Sequence, residues 1–345
     1  LVVRDVSIGK TPGLREVCRS SDADALIVVD ADTVLDDRNY ISRLIEELFR
    51  NPGVASSCGE VMPLGRRRRH TMAAMDERLR TLSTEFHIGP VRPEPLRAVL
   101  EWITYIYRSA LYLFLQRFVY DGHLKLFGSR LNPIGCAVAY RTNRLRECFD
   151  YAEPRMGDNM SFSEDIFIGH FFAWKGYRNV QAGGVRCESL EPPVTRLPRQ
   201  LYLWSSSFLQ TQYFFRDLPL SLFRQGKLLF RRHRTPREGD RREIREQYRA
   251  PWGEYFTHRY GRPLGLIDFC SMFEKAVYPV VLLYLAIFNP RAALLTIAVE
   301  ATLSTFSVLA VGRGAERWKC AAMMLASTPV RVLTLGVDLA AVLKH

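Results

Sequence analysis

Two acidic clusters have residue types and spacings that could do chemistry. In the first, Asp30 and Asp32 occupy alternate positions directly after the apolar run Ala25–Val29. Two carboxylates spaced in this way within a tight turn could bring a divalent cation to a diphosphate, and hard oxygen ligands favour Mg²⁺ or Mn²⁺ over zinc. A solvated strand-to-helix cap is the alternative, and it is the commoner role of such a triplet.

The second cluster is Ser163-Glu164-Asp165, which precedes the amphipathic stretch Ile166–Trp174. This pattern predicts a helix with Asp165 at its start. A carboxylate there can cap the helix, or it can act as a general base that removes a proton from an attacking hydroxyl. The residues alone leave both roles open.

Alternating strands and helices are predicted to hold these carboxylates. Ala25–Val29 is short, apolar and branched, which is typical of a buried strand in a parallel sheet. Tyr40–Phe49 has helical spacing, and Val54–Val61 is the next predicted strand. Strand, helix and strand in succession indicate an α/β layer, whose ligands bind at the carboxyl ends of the strands. Asp30 and Asp32 follow such an end.

The next region interrupts this alternation. Arg66–Arg69 with His70 is a compact basic run, for which a solvated loop and a phosphate or lipid-surface contact are both open. Trp102–Tyr120 is an aromatic-rich helix whose only charges are Arg108 and Arg117. We predict a core or interfacial helix here, because two arginines and a short apolar length argue against a membrane span.

The last part of the chain predicts membrane-spanning helices. Ala276–Phe288, Ala292–Val311 and Ala321–Leu343 are apolar stretches. Because a spanning helix needs roughly 20 apolar residues, the second and third stretches qualify, and the first needs the residues Phe269–Phe273 as well.

The distribution of charge predicts the topology. Basic residues before the first span, at 224–262, and between the last two spans, at Arg313–Lys319, both belong on the cytoplasmic side by the positive-inside bias. The formal net charge of +12 predicts an acidic partner. Since the positive charge lies beside the spans, a negative lipid leaflet is favoured over nucleic acid. Glu300 and Asp338 inside the spans mark a polar path or pack the helices together.

Composition excludes several classes of protein. With 345 residues, 48% of them hydrophobic and 24% charged, the chain is neither disordered nor collagen-like. Its 7 cysteines are scattered and odd in number. No Cys-x-x-Cys pair occurs, so neither a disulfide framework nor a zinc site is indicated, and we expect a reducing environment.

The order and spacing of the motifs resemble those of processive family-2 glycosyltransferases. The likeness is strongest to chitin synthases, with hyaluronan synthases, NodC-like enzymes and bacterial cellulose synthases as relatives, and it covers roughly Gly9 to Trp204. The motifs that carry it are Val29-Asp30-Ala31-Asp32-Thr33, Asn51-Pro52-Gly53-Val54, Cys58-Gly59-Glu60, Asn132-Pro133-Ile134-Gly135-Cys136-Ala137, Tyr140-Arg141, Glu164-Asp165, and Gln200 with Trp204.

The resemblance implies an α/β fold in which a GT-A-like nucleotide-sugar transferase domain precedes interfacial and transmembrane helices. The expected divisions are a cytoplasmic transferase domain over 1–204, a basic interfacial or amphipathic segment over 205–275, and transmembrane helices over 276–345. The protein would be integral to the plasma membrane. Nothing before Lys10 supplies the strand and acidic residue that hold uracil in the family. We therefore expect either a fragment without its N-terminal part or a chain that is not fully competent.

On the donor side, the resemblance implies that Asp32 binds the Mg²⁺ or Mn²⁺ ion that bridges the diphosphate of a UDP-sugar, with Asp30 beside it. Lys10 would lie on the nucleotide side, and Gln200 would lie near the diphosphate. The family pattern Gln-x-x-Arg-Trp departs here, because Leu203 occupies the arginine position.

On the acceptor side, the resemblance implies that Gly135, Cys136 and Arg141 hold the end of the growing polymer. Trp204 would stack on the acceptor sugar at the mouth of a membrane channel. Asp165, preceded by Glu164, would be the catalytic base.

The implied function is inverting transfer of a sugar, GlcNAc being the favoured one, from a UDP-sugar to a polysaccharide such as chitin or hyaluronan. One alternative is a family-2 enzyme with a lipid acceptor. Another is a non-catalytic, degenerate synthase subunit, which Leu203 and the missing front strand favour and the two acidic motifs oppose. The donor sugar is left open, as is assembly into a homo-oligomer.

Overall fold

The structure is a computed structural model that describes residues 8–65, 95–157, 163–221, 223 and 264–345. The predicted basic run at 66–70 and basic segment at 224–262 lie outside the described residues. Within the described residues, a mixed α/β part built on five strands is followed by apolar helices.

The helices and strands have the following bounds in chain order: α1 Lys10–Ser20, β1 Ala25–Val29, β2 Thr33–Leu35, α2 Tyr40–Arg50, β3 Val54–Pro63, α3 Pro95–Leu113, a π-helical segment Phe114–Tyr120, α4 Asp121–Phe127, β4 Ala137–Arg141, α5 Thr142–Met156, α6 Glu164–Trp174, β5 Arg178–Ser189, a 3₁₀ turn Val194–Arg196, α7 Leu197–Phe214, α8 Leu264–Phe288, α9 Pro290–Val311, α10 Glu316–Ala326 and α11 Thr328–Lys344.

The sheet has the strand order β1-β4-β3-β5-β2, in which β3 and β5 are parallel and the other pairs are antiparallel. The expectation that Ala25–Val29 is a strand is confirmed, but the expectation of a parallel neighbour is wrong. Among the strands of the described residues, β1 lies at the edge of the sheet and pairs antiparallel with β4, from Ala25 opposite Arg141 to Val29 opposite Ala137.

The apolar run of β1 indicates that both faces of the strand pack against apolar residues, but it does not indicate the direction of the neighbouring strand. Leu26 and Val28 pack against one core cluster, while Ala25 and Ile27 pack against the cluster on the other face. Because residues on both faces of this strand pack against hydrophobic clusters, the strand is apolar whichever way its neighbour runs, although its side chains are only partly buried and Val29 is exposed.

The helix and strand predicted next are confirmed, as α2 and β3. One glutamine completes the hydrogen bonding of β3 beyond its pairing with β4, which extends from Ser56 to Cys58. The amide of the buried Gln116 accepts from Val61 N–H at 2.7 Å and donates to Val61 C=O at 2.6 Å. Gln116 lies in the π-helical segment after α3.

Two helices are long and apolar enough to cross a membrane among the described residues, namely α8 and α9. The helix α3 is not among them, as predicted. The helices α10 and α11 pass the same test only as a pair, and they are bent by 57°. The third predicted span, Ala321–Leu343, therefore contains a bend, and it is a span only if the bent pair crosses the membrane as one. The bend occurs where Pro329 in the first turn of α11 cannot continue the hydrogen bonding of α10.

The acidic residues inside the apolar helices face basic partners. Glu300 Oε1 lies 2.8 Å from Arg331 Nη1, which joins α9 to α11. Asp338 Oδ1 lies 3.5 Å from Lys275 Nζ and accepts a hydrogen bond from the hydroxyl of Ser205. These pairs are the arrangement expected if both acids pack the helices together.

Candidate active site

Lys10 is the centre of the first group of predicted site residues. Its Nζ lies 2.7 Å from Asp30 Oδ1 and 2.7 Å from Glu164 Oε1. It also donates a hydrogen bond to the C=O of Gly135 at 3.2 Å. The first residue of α1, the end of β1, the segment before β4 and the first turn of α6 therefore meet at one ammonium group.

Asp165 is held against the same segment from the other side. Its Oδ2 accepts the N–H of Gly135 at 3.0 Å, and its Oδ1 accepts the N–H of Ile166 at 2.9 Å. A Cβ atom on Gly135 would lie 2.7 Å from Asp165 Oδ2, closer than side chains tolerate. Glycine is therefore required where the backbone approaches this carboxylate.

Burial and charge set the ionisation of the cluster. Burial and, second, the charge of Glu164 raise the pKa of Asp165 to about 7, although Lys10 and the two N–H donors act in the opposite direction. Burial alone would lower the pKa of Lys10, but its ion pairs with Glu164 and Asp30 outweigh that effect and the pKa is raised. At neutral pH, Lys10 is a cation beside a carboxyl group that is close to half ionised.

The helix α6 is fixed by packing on almost every side. The sequence predicts an amphipathic helix, but this is wrong, because most of α6 is buried. A Cβ on Gly169 would lie 2.4 Å from Asn132 Cα, so the helix touches the backbone that leads to Gly135. Asn179 of β5 donates to Gly169 C=O at 3.0 Å. These contacts hold Asp165 on a rigid element.

Gln200 and Trp204 belong to a second group, which is organised by Arg108. The guanidinium of Arg108 donates to Gln200 Oε1 at 2.8 Å and lies 4.6 Å from the ring centroid of Trp204. Its Nε is 3.4 Å from Glu191 Oε2, and only 1% of the Arg108 side chain is exposed. Tyr112 donates to the other oxygen of Glu191 at 2.8 Å.

Asp32 lies between the two groups along the backbone. Its exposed side chain follows Asp30 by two residues, and its C=O accepts the N–H of Leu190 at 3.0 Å. Burial raises the pKa of Glu191, and the nearby charge of Asp32 adds to that effect. The Asp30–Asp32 turn therefore connects the Lys10 group with the Arg108 group.

The carboxylates of this turn suit a divalent cation only together with further ligands. Within the described ranges, no group of three or more His, Cys, Asp and Glu side chains is placed to hold a metal ion. Asp30 is engaged by Lys10, whereas Asp32 is exposed. The oxygen chemistry fits Mg²⁺ or Mn²⁺, which commonly take one or two carboxylates and complete their shell with substrate phosphates and water.

Arg141 lies away from both groups. It is at the far end of β4 from Ala137, roughly 13 Å along the strand. Its guanidinium donates to the C=O groups of Leu48 and Val54 at 2.6 and 2.7 Å, and it stacks on Phe49 at 4.4 Å. In this position Arg141 joins α2 to the sheet.

Cys136 lies at the edge of the Lys10 group. Its C=O accepts the N–H of Asp30 at 2.8 Å, and its thiol faces that of Cys187, with 3.9 Å between the sulfur atoms.

The sequence interpretation missed Arg108 and Glu191 as members of the site. Arg108 is one of two charges on an otherwise apolar, aromatic helix. A cation in such a setting signals a buried acidic partner, because a buried charge is stable only when it is paired. No comparable signal identifies Glu191, whose partner lies 83 positions earlier in the chain.

Comparison with known proteins adds little to this geometry. No family model matches the chain, and no curated protein matches it. Among solved structures, the mannosyltransferase PcManGT from Pyrobaculum calidifontis, in complex with GDP-Man and Mn²⁺, aligns with a TM-score of 0.30 and 14% identity. The alignment covers 96% of this chain and 69% of that one. At this TM-score the likeness carries no argument about fold or activity.

Proposed function

We propose that the protein is a membrane-bound inverting glycosyltransferase that moves a sugar from a UDP-sugar to a growing polysaccharide. The observation that carries the proposal is the meeting of Asp30, Glu164 and the Gly135 segment at Lys10, with Asp165 bound to the same segment. Residues from four separate elements combine there into a base candidate beside a fixed cation. The resemblance of the sequence motifs to those of family-2 glycosyltransferases implies nucleotide-sugar chemistry at the same residues.

Asp165 is the general base of this proposal. One of its carboxylate oxygens takes the proton of the acceptor hydroxyl as the hydroxyl oxygen attacks the anomeric carbon, and the bond from that carbon to the diphosphate breaks. A pKa of about 7 leaves a sufficient ionised fraction at neutral pH and a basicity well above that of an ordinary aspartate. General-base assistance of this kind contributes roughly 10²–10⁴-fold to a rate.

Lys10 and the acidic turn serve the donor. The Lys10 ammonium would bind a phosphate oxygen of the donor in place of one of its present partners, Asp30 or Glu164. Asp32, with Asp30 beside it, would hold Mg²⁺ or Mn²⁺, which when bound supplies positive charge to the leaving diphosphate. UDP-GlcNAc is the proposed donor, with chitin or hyaluronan as the product.

The position of Arg108 argues against the alternative that the protein is a non-catalytic, degenerate synthase subunit. Leu203 removes the arginine of the family pattern, but Arg108 brings a guanidinium from α3 to Gln200 and Trp204. A cation is thus retained beside these two residues, which favours a catalytic protein. In this proposal α8 and α9 cross the plasma membrane and the catalytic part is cytoplasmic; the length and apolar composition of the two helices support the membrane location.

The deciding experiment is the substitution Asp165→Asn in the longest natural reading frame, expressed in membranes. We expect sugar transfer from radiolabelled UDP-sugars to be abolished while UDP binding is kept, because the amide preserves shape but cannot take a proton. Asp150→Asn is the matched control, since that side chain is 72% exposed. Full polymer synthesis by the Asp165→Asn protein would exclude Asp165 as the base.

A lipid acceptor is the second candidate, and one contact favours it. Arg108 covers one face of the Trp204 ring, which leaves at most the other face for stacking on a polymer sugar. Trp204→Ala separates the two functions: a polymerase would make shorter chains, whereas an enzyme with a lipid acceptor would transfer single sugars at an unchanged rate.

A further inference from the structure

Cys136 and Cys187 form a thiol pair beside the proposed active site. Their sulfur atoms are 3.9 Å apart, and both cysteines are free. Cys136 is partly exposed and follows Gly135 directly, whereas Cys187 is buried in β5. An oxidant can therefore reach the pair from the Cys136 side.

The pair is connected to the catalytic arrangement through the backbone. The peptide N–H of Gly135 binds Asp165 and its C=O binds Lys10, while the C=O of Cys136 accepts the N–H of Asp30. Any displacement of Cys136 is transmitted to these three contacts. Cys187 is the more firmly held partner, because it lies in β5 opposite Val61 of β3.

We propose that Cys136 and Cys187 are a redox modification site, at which a peroxide forms a disulfide that displaces Gly135 and disables the Lys10–Asp165 arrangement. This inference does not rest on the identity of the sugar donor or acceptor.

The chemistry balances with hydrogen peroxide as the oxidant. The contact with Cys187 and burial raise the pKa of Cys136, so Cys136 reacts as a thiol. Its sulfur attacks one peroxide oxygen, the O–O bond breaks, the thiol proton goes to the departing oxygen, and Cys136 sulfenic acid and one water form. The Cys187 sulfur then attacks the sulfenic sulfur, the S–S bond forms, and a second water leaves. Two thiols lose two protons and two electrons, and the peroxide gains them. The contact between the two thiols lowers the pKa of Cys187. This lower pKa suits Cys187 to the second step, the attack on the sulfenic sulfur of Cys136.

The geometry explains why the bond would alter the site. A disulfide has an S–S length of about 2.05 Å, so the sulfur atoms must approach by nearly 2 Å. The Gly135 segment has no room to absorb this movement on its Asp165 side, where even an added Cβ would clash at 2.7 Å. The contacts that must yield are the hydrogen bond from Gly135 N–H to Asp165 and the hydrogen bond from Lys10 to the C=O of Gly135.

The test uses the full chain in detergent, treated with increasing hydrogen peroxide, alkylated, digested and mapped by mass spectrometry. We expect a linked peptide pair containing Cys136 and Cys187, two hydrogens lighter than the separate peptides and split by dithiothreitol. Cys187→Ala must abolish it, and Cys148→Ala, which removes another buried cysteine, must not. Absence of the link at peroxide levels that oxidise the exposed Cys270 would overturn the proposal, and so would a different pairing.

Two further readings test the consequence for the site. Hydrogen exchange of the Gly135 amide is expected to accelerate at least tenfold on oxidation, because its bond to Asp165 is lost, and unchanged exchange would contradict the proposed displacement. Sugar transfer is expected to fall at least fivefold and to recover with dithiothreitol in the unmodified protein, with no such fall in Cys187→Ala. Mapping and exchange need no sugar donor, so they judge this inference even if the proposed function fails.

Discussion

Asp165 shows how one carboxylate combines the two roles that the sequence left open. It accepts the N–H of Ile166 in the first turn of α6, as a structural group would, and it also accepts the N–H of Gly135 from another segment. Burial makes it more basic than an ordinary aspartate. Its position in the helix and its proposed chemistry are therefore compatible.

The pH dependence of transfer follows from this residue. A base must be ionised, so kcat/KM should rise about tenfold per pH unit below the Asp165 pKa of about 7 and level off above it. Glu164→Gln removes a negative charge that raises this pKa, so the acid limb should move to lower pH. Initial rates between pH 5 and 9 measure both effects.

Asp150→Asn is the control for that profile, because its exposed carboxylate should leave the limb in place. A profile that is flat between pH 5.5 and 8 would contradict the assignment of Asp165 as the base.

The sequence could predict those site residues whose motifs come together in the fold. Lys10, Asp30, Gly135, Glu164 and Asp165 are close together in the structure. Arg141 lies elsewhere because residues at opposite ends of one strand share a motif but not a location. Arg108 was missed because its partners come from distant segments, and a sequence pattern does not encode which segments meet.

At the scale of elements, the segment before β4 packs closely against α6 at Gly135. Gly135→Ala adds a methyl group 2.7 Å from Asp165 Oδ2, so we expect a loss of about 1–3 kcal/mol in stability and at least a tenfold loss of transfer. Gly122→Ala in α4 is the matched control, because nothing lies within 4 Å of the added atom. Chemical unfolding and initial rates measure the two effects; equal behaviour of both variants would refute the tight contact.

The junction between α3 and α7 depends on Arg108. Arg108→Met leaves the buried Glu191 without its cationic partner, which should cost about 3–5 kcal/mol in stability. The double variant Arg108→Met/Glu191→Gln should recover much of this loss, because the glutamine carries no charge and still accepts from Tyr112. The unfolding midpoint in detergent reports both.

Arg97→Met on the same helix provides the comparison, since the Arg97 side chain is 57% exposed and its loss should cost less than about 1 kcal/mol. Similar losses of stability for Arg97→Met and Arg108→Met would contradict a larger contribution from the buried Arg108–Glu191 pair.

Helices and strands could be predicted where the spacing of apolar residues agrees with the positions of helix- and strand-breaking residues. The helix α2 and strand β3 were expected within two residues of their ends. The direction of β1 was not, because an apolar run reports only that both faces are covered. The break before α11 was missed because hydropathy dominates the pattern there, although Pro329 marks it.

At the scale of the whole molecule, an ion pair relates the apolar helices to the sheet. Glu316 at the start of α10 lies 3.2 Å from Arg117, which also contacts Glu60 of β3 at 3.1 Å. The start of α10 is therefore joined to the sheet through Arg117. In the proposed membrane arrangement, this contact would put the loop between α9 and α10 on the same side of the membrane as the sheet.

The topology can be tested with single reactive cysteines in a Cys270→Ala background. Gly314→Cys in the loop before α10 should react with a membrane-impermeant maleimide only after the cells are opened. Arg291→Cys, in the first turn of α9, should react in intact cells. The opposite labelling pattern would place the proposed catalytic part outside the cell.

Gln116 has a consequence for how copies of the chain behave toward each other. Beyond Cys58, β3 would present a free N–H and C=O at Val61, but the Gln116 amide occupies both. Unpaired strand edges can pair with strands of other molecules. By occupying the N–H and C=O of Val61, Gln116 prevents another chain from extending the sheet at this edge. A shorter asparagine would not reach both groups, and the protein would then become prone to aggregate through this edge.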